Sequence, residues 1–271
     1  MHDGLWIMEI DGTSSMGRFM LGYTTVVANF ATGGSLFWRS RRVKKPGFAC
    51  SLMLLAAVAL ADVEVGDRAY GSGAFSQAIA AYRENAERDP TDVEARYKLA
   101  RAISTLADTL DESEARAGYM EAAEHARAAI AIDPEIPAAH VELARALGRF
   151  AELTGPLRAL DLANEVRRQL EWALELDPDH SGALHGLAMW HFGAPWILGG
   201  RQDRVRPLFD AAIAAGPTIE GHFDYGATLI ELDDLEGARR QLEQALSLPV
   251  VTYLDRQNRA EAQRLLDGLG P

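Results

Sequence analysis

The sequence predicts an all-α fold, a solenoid of about five helix pairs closed by a C-terminal capping helix. Three observations predict it: an internal sequence repeat, apolar residues spaced three and four apart, and a proline near the end of every second helix. Steps of three and four residues keep side chains on one face of a helix. Proline ends a helix because it lacks the backbone N–H and clashes with the preceding turn. Since one pair cannot bury its apolar face alone, the pairs are expected to stack.

The repeat is visible at both ends of a unit. Residues 98–103 (KLARAI) align with 142–147 (ELARAL), and the same offset relates 131–134 (AIDP) to 175–178 (ELDP). Each unit also carries a small residue at a fixed place in each helix, which lets the two helices approach closely. In the first helices these are Ala100, Ala144, Ala188 and Gly226; in the second helices they are Ala78, Ala122, Val166, Val205 and Ala238, ahead of Pro90, Pro134, Pro178, Pro217 and Pro249.

This pattern resembles the signature of the tetratricopeptide-repeat (TPR) family over residues 62–250. The interval from Gly226 to Ala238 is the one usual in that family. The corresponding interval is longer in the three preceding units, which run from Ala100 to Ala122, from Ala144 to Val166 and from Ala188 to Val205. Longer helices or longer turns are therefore expected in the middle units. The first unit is expected to be truncated, and residues 251–271 to form the capping helix.

The resemblance implies that the first helices line a concave groove that binds a protein or peptide segment. Counted from the small residues, the predicted groove side chains are Tyr97, Arg101, Thr105, Arg145, Arg149, His185, Met189 and Phe223. Guanidinium groups bind carboxylates through two parallel hydrogen bonds, so the three arginines predict contacts to carboxylates of the partner. The alternative is that they pair internally with Glu94 and Glu142. Trp190 and Trp196 flank a Gly-Ala-Pro turn and are expected either to wall a pocket or to lie in the core.

Composition and motifs argue against several other functions. Beyond residue 61 the chain has 21 basic and 36 acidic side chains, a net charge of −15, which disfavours nucleic-acid binding. His180, His185 and His191 lack the spacing of a helical zinc pair, so no metal site and no cofactor is predicted. Nucleophile elbows, phosphate loops and dinucleotide fingerprints are absent from the sequence, so no catalytic residue is predicted. The carboxylates at Asp111 and Asp234 are expected to cap helices.

Residues 1–61 are interpreted as a targeting region. Basic residues between 39 and 45, an apolar stretch from 48 and the sequence Ala59-Leu60-Ala61 are the three parts of a secretory signal at 43–61. Residues 1–42 are interpreted as a mis-assigned start or a disordered segment. The competing interpretation is a membrane helix at 19–38 that tethers the protein. Cleavage near Ala61 would release a periplasmic or secreted protein, without Cys50, that touches the membrane only through its export signal.

A second resemblance rests on residues 194–200 (APWILGG) and the lengthened repeats. They are similar to the periplasmic T-component of tripartite ATP-independent transporters. That resemblance implies an alternative function, a ligand-binding accessory subunit for solute uptake with its cavity near Trp190 and Trp196. Homo-oligomerisation through an open end of the solenoid is a further alternative.

Overall fold

The structure, a computed structural model, describes residues 16–21, 24–29 and 63–270. The chain divides into two compact units, residues 1–57 and 58–271. In the first unit, β1 (Met16–Leu21) and β2 (Thr24–Asn29) pair as antiparallel strands. This hairpin is an exception to the predicted all-α fold.

The hairpin bears on one interpretation of the N-terminal segment. The described residues between 19 and 38 lie in these two strands, where the competing interpretation placed a membrane helix. The predicted signal peptide at 43–61, Cys50 and the cleavage site lie outside the described residues. Within the part of the chain that is described, no helix combines the length and apolar character needed to cross a bilayer.

The described residues from 63 onward form eleven α-helices and a short 3-10 turn. The helices are α1 (63–72), α2 (Phe75–Arg88), α3 (Val93–Ala107), α4 (Glu112–Ile132), α5 (Pro137–Glu152), α6 (Pro156–Leu176), α7 (Ser181–Gly193), α8 (Gln202–Ala215), α9 (Ile219–Glu231), α10 (Leu235–Ser247) and α11 (Tyr253–Gly268), and the 3-10 turn is Trp196–Leu198. They pack as five successive pairs, from α1 with α2 to α9 with α10, followed by α11. The predicted helical solenoid with its capping helix is confirmed.

The small residues lie where the helices of a pair cross. Ala100, Ala122, Ala188, Val205 and Ala238 are all 0% exposed. A larger side chain at these positions would force the paired helices apart, since the surrounding core is close-packed. The first helices α3, α5 and α7 also contact one another, so they form one continuous face.

Every second helix ends two residues before its proline. Thus α2 ends at Arg88 ahead of Pro90, and the same distance recurs in α4, α6, α8 and α10. The intervening residue is extended in each case, because the proline ring disfavours the helical conformation of the residue before it. The predicted caps also form: Asp111 accepts hydrogen bonds from the backbone of Ser113 and Glu114, and Asp234 from that of Gly237.

The first helix pair keeps the spacing of the regular pair. Helix α1 packs on α2, and Gly66 stands as far before Ala78 as Gly226 stands before Ala238 in the regular pair. A Cβ at Gly66 would lie 2.3 Å from the Tyr82 ring, so only glycine fits there. The first pair therefore repeats the regular spacing, whereas its predicted truncation at the cleavage site near Ala61 lies outside the described residues and stays a prediction.

The long spacings have two different causes. Helices α4 and α6 have 21 residues each, against 13 in α10, and the turns before them are short. The extra turns carry a small core of their own, made by Ala107, Ala115, Tyr119 and Phe150. In the fourth pair the added residues form the 3-10 turn instead of a longer helix. Both predicted explanations, longer helices and longer turns, thus occur in different units.

Helix α11 begins with a capping box of Thr252 and Asp255 and packs on α9 and α10. Its first residue also reaches the other end of the solenoid. The Tyr253 ring lies 5.9 Å from the Phe75 ring in an edge-to-face arrangement. It also covers Gly73, whose φ of +86° suits glycine and whose Cβ would lie 2.5 Å from the Tyr253 ring. The first helix pair and the last helix of the solenoid are therefore in contact.

Candidate partner-binding groove

The groove predicted from the repeat is lined by side chains of the first helices. Contacts from one first helix to another show that these side chains share one face. Tyr70 of α1 hydrogen-bonds Thr105 of α3 at 3.0 Å, and Arg145 of α5 lies 3.9 Å from Glu220 of α9. On the next pair of helices, His185 of α7 lies 3.0 Å from the Asp224 carboxylate of α9.

Arg101 is held against aromatic rings. Its guanidinium carbon lies 4.5 Å from the centre of the Tyr70 ring, an arrangement in which the cation is attracted to the ring face. Burial lowers the pKa of Arg101, but the charge of Glu142 and contacts to Tyr70 and Tyr82 outweigh it and raise the pKa. The guanidinium is therefore tied into the wall of the groove.

Arg145 lies between two carboxylates. Its Nε lies 3.1 Å from Glu142 Oε2, and its Nη1 lies 3.9 Å from Glu220 Oε1. The Glu142 charge is the main cause of the raised pKa of Arg145. Glu142 is 7% exposed, whereas the Arg145 side chain is 39% exposed, so the pair presents its positive member to the groove.

Arg149 is also matched by carboxylates, Asp108 at 3.5 Å and Glu152 at 3.6 Å. Internal pairing, the alternative considered for these arginines, therefore holds for Arg145 with Glu142. Glu94 pairs instead with Lys98, at 2.7 Å.

The remaining predicted residues differ in how accessible they are. Met189 is 38% exposed, and Tyr97 and Phe223 are half-buried. Thr105 is buried and uses its hydroxyl internally, donating to the Arg101 carbonyl at 2.9 Å. Thr105 is therefore part of the wall and is not offered to a partner.

A cavity of about 100 Å³ adjoins Arg145. Its other walls come from the first turns of α7 and α9, including Ser181, Gly182, Thr218 and Glu220, and from Phe209 of α8. Sequence reasoning missed Glu220, Tyr70 and Asp224, because they enter the groove through contacts between units and not through the repeat pattern. Of these three, only Tyr70 could have been predicted from the sequence, because α1 follows the regular repeat spacing when it is counted from Gly66.

Trp190 and Trp196, which were expected either to wall a pocket or to lie in the core, have different environments. Trp190 is 8% exposed and its indole N–H donates to the Ala163 carbonyl at 2.8 Å, so it belongs to the core. Trp196 is 85% exposed on the 3-10 turn. The core alternative therefore holds for Trp190 and not for Trp196.

The three histidines of this region have separate environments. His180 caps α7 by accepting from the Ala183 N–H at 3.2 Å. His191 is 4% exposed, and neither of its ring nitrogens has a hydrogen-bond partner among the described residues. Burial lowers its pKa, with the charge of Arg204 acting in the same direction. Across the described residues no group of three metal-ligating side chains converges.

Comparison with known families gives one match. Residues 62–195, just under half of the chain, match the sequence model of a family described as regulator of microtubule dynamics protein 1-3. The matched stretch runs from α1 to the turn after α7 and so includes both lengthened pairs. No curated protein sequence matches the chain.

Solved structures show the fold. TTC0263, a thermophilic TPR protein in Thermus thermophilus, is 19% identical with a TM-score of 0.63 over 76% of this chain and 99% of that one. YrrB, a TPR protein described as having an unusual peptide-binding site, is 16% identical with a TM-score of 0.40 over 82% of this chain and 98% of that one. MamA is 18% identical with a TM-score of 0.41 over 75% of this chain and 94% of that one.

The likeness to TTC0263 shows that this chain has the TPR fold, as the repeat predicted. None of these comparisons points to the T-component of tripartite ATP-independent transporters, so that resemblance stays a prediction.

Proposed function

We propose that the protein is an interaction scaffold that binds a segment of another protein along the groove. The observation that carries the proposal is the groove itself: a continuous face of first helices with Arg145 half-exposed beside a cavity. Phe209 and Ile213 line the same cavity as Arg145, and Met189, which is 38% exposed, lies on the neighbouring first helix α7. A peptide offers both apolar side chains and charges, whereas an enzyme would need convergent catalytic groups.

The internal ion pairs define the kind of segment that fits. Arg145 and Arg149 already have carboxylate partners, so a bound carboxylate exchanges with Glu220, Asp108 or Glu152 instead of meeting a bare cation. Segments carrying both acidic and basic side chains are favoured, because a basic group of the partner then receives the displaced carboxylate.

Photo-crosslinking from inside and outside the groove tests the assignment. A benzophenone amino acid at Met189 is expected to capture a partner in cells, whereas the same group at Trp172, which is 50% exposed on α6, is not. The variant Met189→Lys should then lose the partner in a pull-down while keeping its melting temperature. Equal capture at both positions would overturn the groove assignment.

Charge reversal at Arg101 or Arg145 is a poorer test of the groove than crosslinking from Met189. Reversal at Arg145 would place a carboxylate beside Glu142, which is nearly buried, and reversal at Arg101 would break its contact with Tyr70. Both changes are expected to lower stability as well as binding.

We also propose that the chain is exported after cleavage near Ala61, on the strength of the tripartite signal at 43–61. Mass spectrometry of the mature N terminus tests it, and a first residue upstream of Asp62 would refute it. The alternative, a ligand-binding subunit for solute uptake, would need a cavity near Trp190 and Trp196; the burial of Trp190 in the core and the exposure of Trp196 give it no support.

A further inference from the structure

A second cavity lies on the side of the solenoid formed by the second helices. It has a volume of about 100 Å³ and is bounded by α4 and α6, with α5 at its floor. We call it the outer cavity. It is separate from the groove, since its walls are second helices and not the first-helix face.

The outer cavity exists because the second and third pairs are lengthened. Phe150 and Leu162 form its floor with Leu147, and Phe150 also belongs to the small core of the lengthened part. Phe150 and Leu147 are each 3% exposed. Met120, a large and flexible apolar side chain, also lines the cavity and is 45% exposed. The floor and Met120 together therefore suit an apolar group.

Two arginines complete the walls, Arg127 from α4 and Arg158 from α6. Among the described residues, neither guanidinium has a carboxylate within ion-pair distance. Arg158 instead lies over the Phe150 ring at 4.7 Å. Glu124 also lines the cavity, so the local charge is two positive groups against one negative. This is the reverse of the balance of the chain as a whole.

Glu165, a carboxylate whose charge acts on Arg127, is already engaged by other residues. The charges of Arg127 and Glu165 act on each other only at longer range. Glu165 pairs with Arg168 and accepts a hydrogen bond from Gln169 at 2.6 Å. Arg127 therefore keeps its donors available to a ligand.

We propose that the outer cavity binds an apolar group of about the size of a phenyl ring that carries one carboxylate. The apolar part would lie on Phe150, Leu147 and Leu162, and the carboxylate would meet Arg127 and Arg158. Charge-assisted hydrogen bonds from guanidinium groups are strong, and planar carboxylates match their geometry. The inference goes beyond the groove function and does not depend on it.

Two methionines report the two sites separately. With methyl-labelled methionine, 3-phenylpropanoate should shift the Met120 signal and leave the Met189 signal of the groove unchanged. A dissociation constant on the order of 1 mM or below is expected for a ligand of this size. The neutral isostere 3-phenylpropanamide should bind about 10-fold more weakly, because it forfeits the charge-assisted contacts.

Variants assign the contacts. Arg127→Gln and Arg158→Gln should each weaken binding of 3-phenylpropanoate by about 10-fold. The matched control Arg116→Gln, on the same helix as Arg127 and paired with Glu112, should bind as the wild type does. Equal binding of acid and amide, unchanged binding by both arginine variants, or no shift of Met120 at about 10 mM ligand, a tenfold excess over that constant, would each overturn the proposal.

The same titration distinguishes the source of the ligand. A short peptide with a free C-terminal phenylalanine presents the same group as part of a protein. If it binds more tightly than 3-phenylpropanoate, the cavity receives a protein terminus. If the small acid binds and the peptide does not, it is a small-molecule site.

Discussion

The groove and the outer cavity treat arginine differently. In the groove, Arg145 and Arg149 are matched by carboxylates of the same chain. In the outer cavity, Arg158 lies on the face of Phe150, and within the described structure neither it nor Arg127 has an ion-pair partner. The groove is therefore internally neutralised, whereas the outer cavity keeps a positive charge.

This difference separates charge that serves the fold from charge that is free to bind. A ligand of the groove must exchange one ion pair for another, which gains little free energy but discriminates between partners. A ligand of the outer cavity adds an interaction that the protein alone does not make. Arginine side chains only a few helices apart thus contribute differently: those of the groove stabilise the fold, and those of the outer cavity are available to a ligand.

The largest effect is expected from the floor of the outer cavity. Phe150→Ala should lower the free energy of unfolding by about 3–5 kcal/mol, because it empties a buried aromatic site in the small core of the lengthened part. Met189→Ala in the groove should cost less than about 1 kcal/mol, since that side chain is largely surface. Urea unfolding followed by circular dichroism measures both. Similar losses would mean that the groove is also built from core side chains.

The arginines themselves should differ next. Arg145→Met leaves Glu142 with little solvent and without its partner, so a loss of about 1–2 kcal/mol is expected, reduced from that of a fully buried pair by the exposure of Arg145. Arg127→Met should change stability by less than about 0.5 kcal/mol. The comparison between regions fails if the two variants unfold at the same urea concentration.

The contact between the ends of the solenoid should give an effect of similar size, at a position where the backbone angle and the neighbouring ring are both known. Gly73→Ala should destabilise by about 1–2 kcal/mol, because the residue has positive φ and the new methyl group would meet the Tyr253 ring. Gly71→Ala is the matched control: it lies two residues earlier in α1 with open space around it, so no loss is expected. Thermal unfolding of the two variants side by side is the measurement, and equal melting temperatures would contradict the packing of Tyr253 on Gly73.

The smallest effect concerns a buried group without a partner among the described residues. Burial lowers the pKa of His191 below its ordinary value of 6.5. The unfolded chain then binds the proton more tightly than the folded one, so stability present above pH 6.5 is lost as the pH falls below it. Between about pH 7.5 and 5.5, an interval centred on the ordinary histidine pKa, His191→Phe should lose less unfolding free energy than the wild type. An unchanged slope would show that the histidine is not the cause.

The sequence predicted what depends on distances along the chain. The helix ends ahead of Pro90 and its counterparts, the capping role of Asp111 and the extra length of the middle units all follow from spacing. The burial pattern of α11 is harder to predict from spacing: Ala262 is fully buried, whereas Ala260, two residues earlier, is exposed. A helix without repeat partners offers no second copy from which to fix its face.

The features that the sequence could not predict depend on how successive helix pairs are rotated relative to one another. Arg145 and Glu220 meet only because three units turn together, and no local pattern specifies that angle. The outer cavity also needed the structure, since longer helices can fill the added volume or leave it open. The different burial of Trp190 and Trp196 was also beyond the sequence, because one lies in the last turn of a repeat helix and the other on a 3-10 turn outside the repeat pattern.

The edge-to-face contact of Phe75 with Tyr253 joins the second helix of the solenoid to its last one. In an array whose units touch only their sequence neighbours, fraying at one terminus is of no consequence to the other. Here the loss of α11 would also remove cover from the start of α2, so the two termini are expected to exchange amide hydrogens on similar timescales. The contact is also expected to form late in folding, because it closes the longest loop among the contacts described.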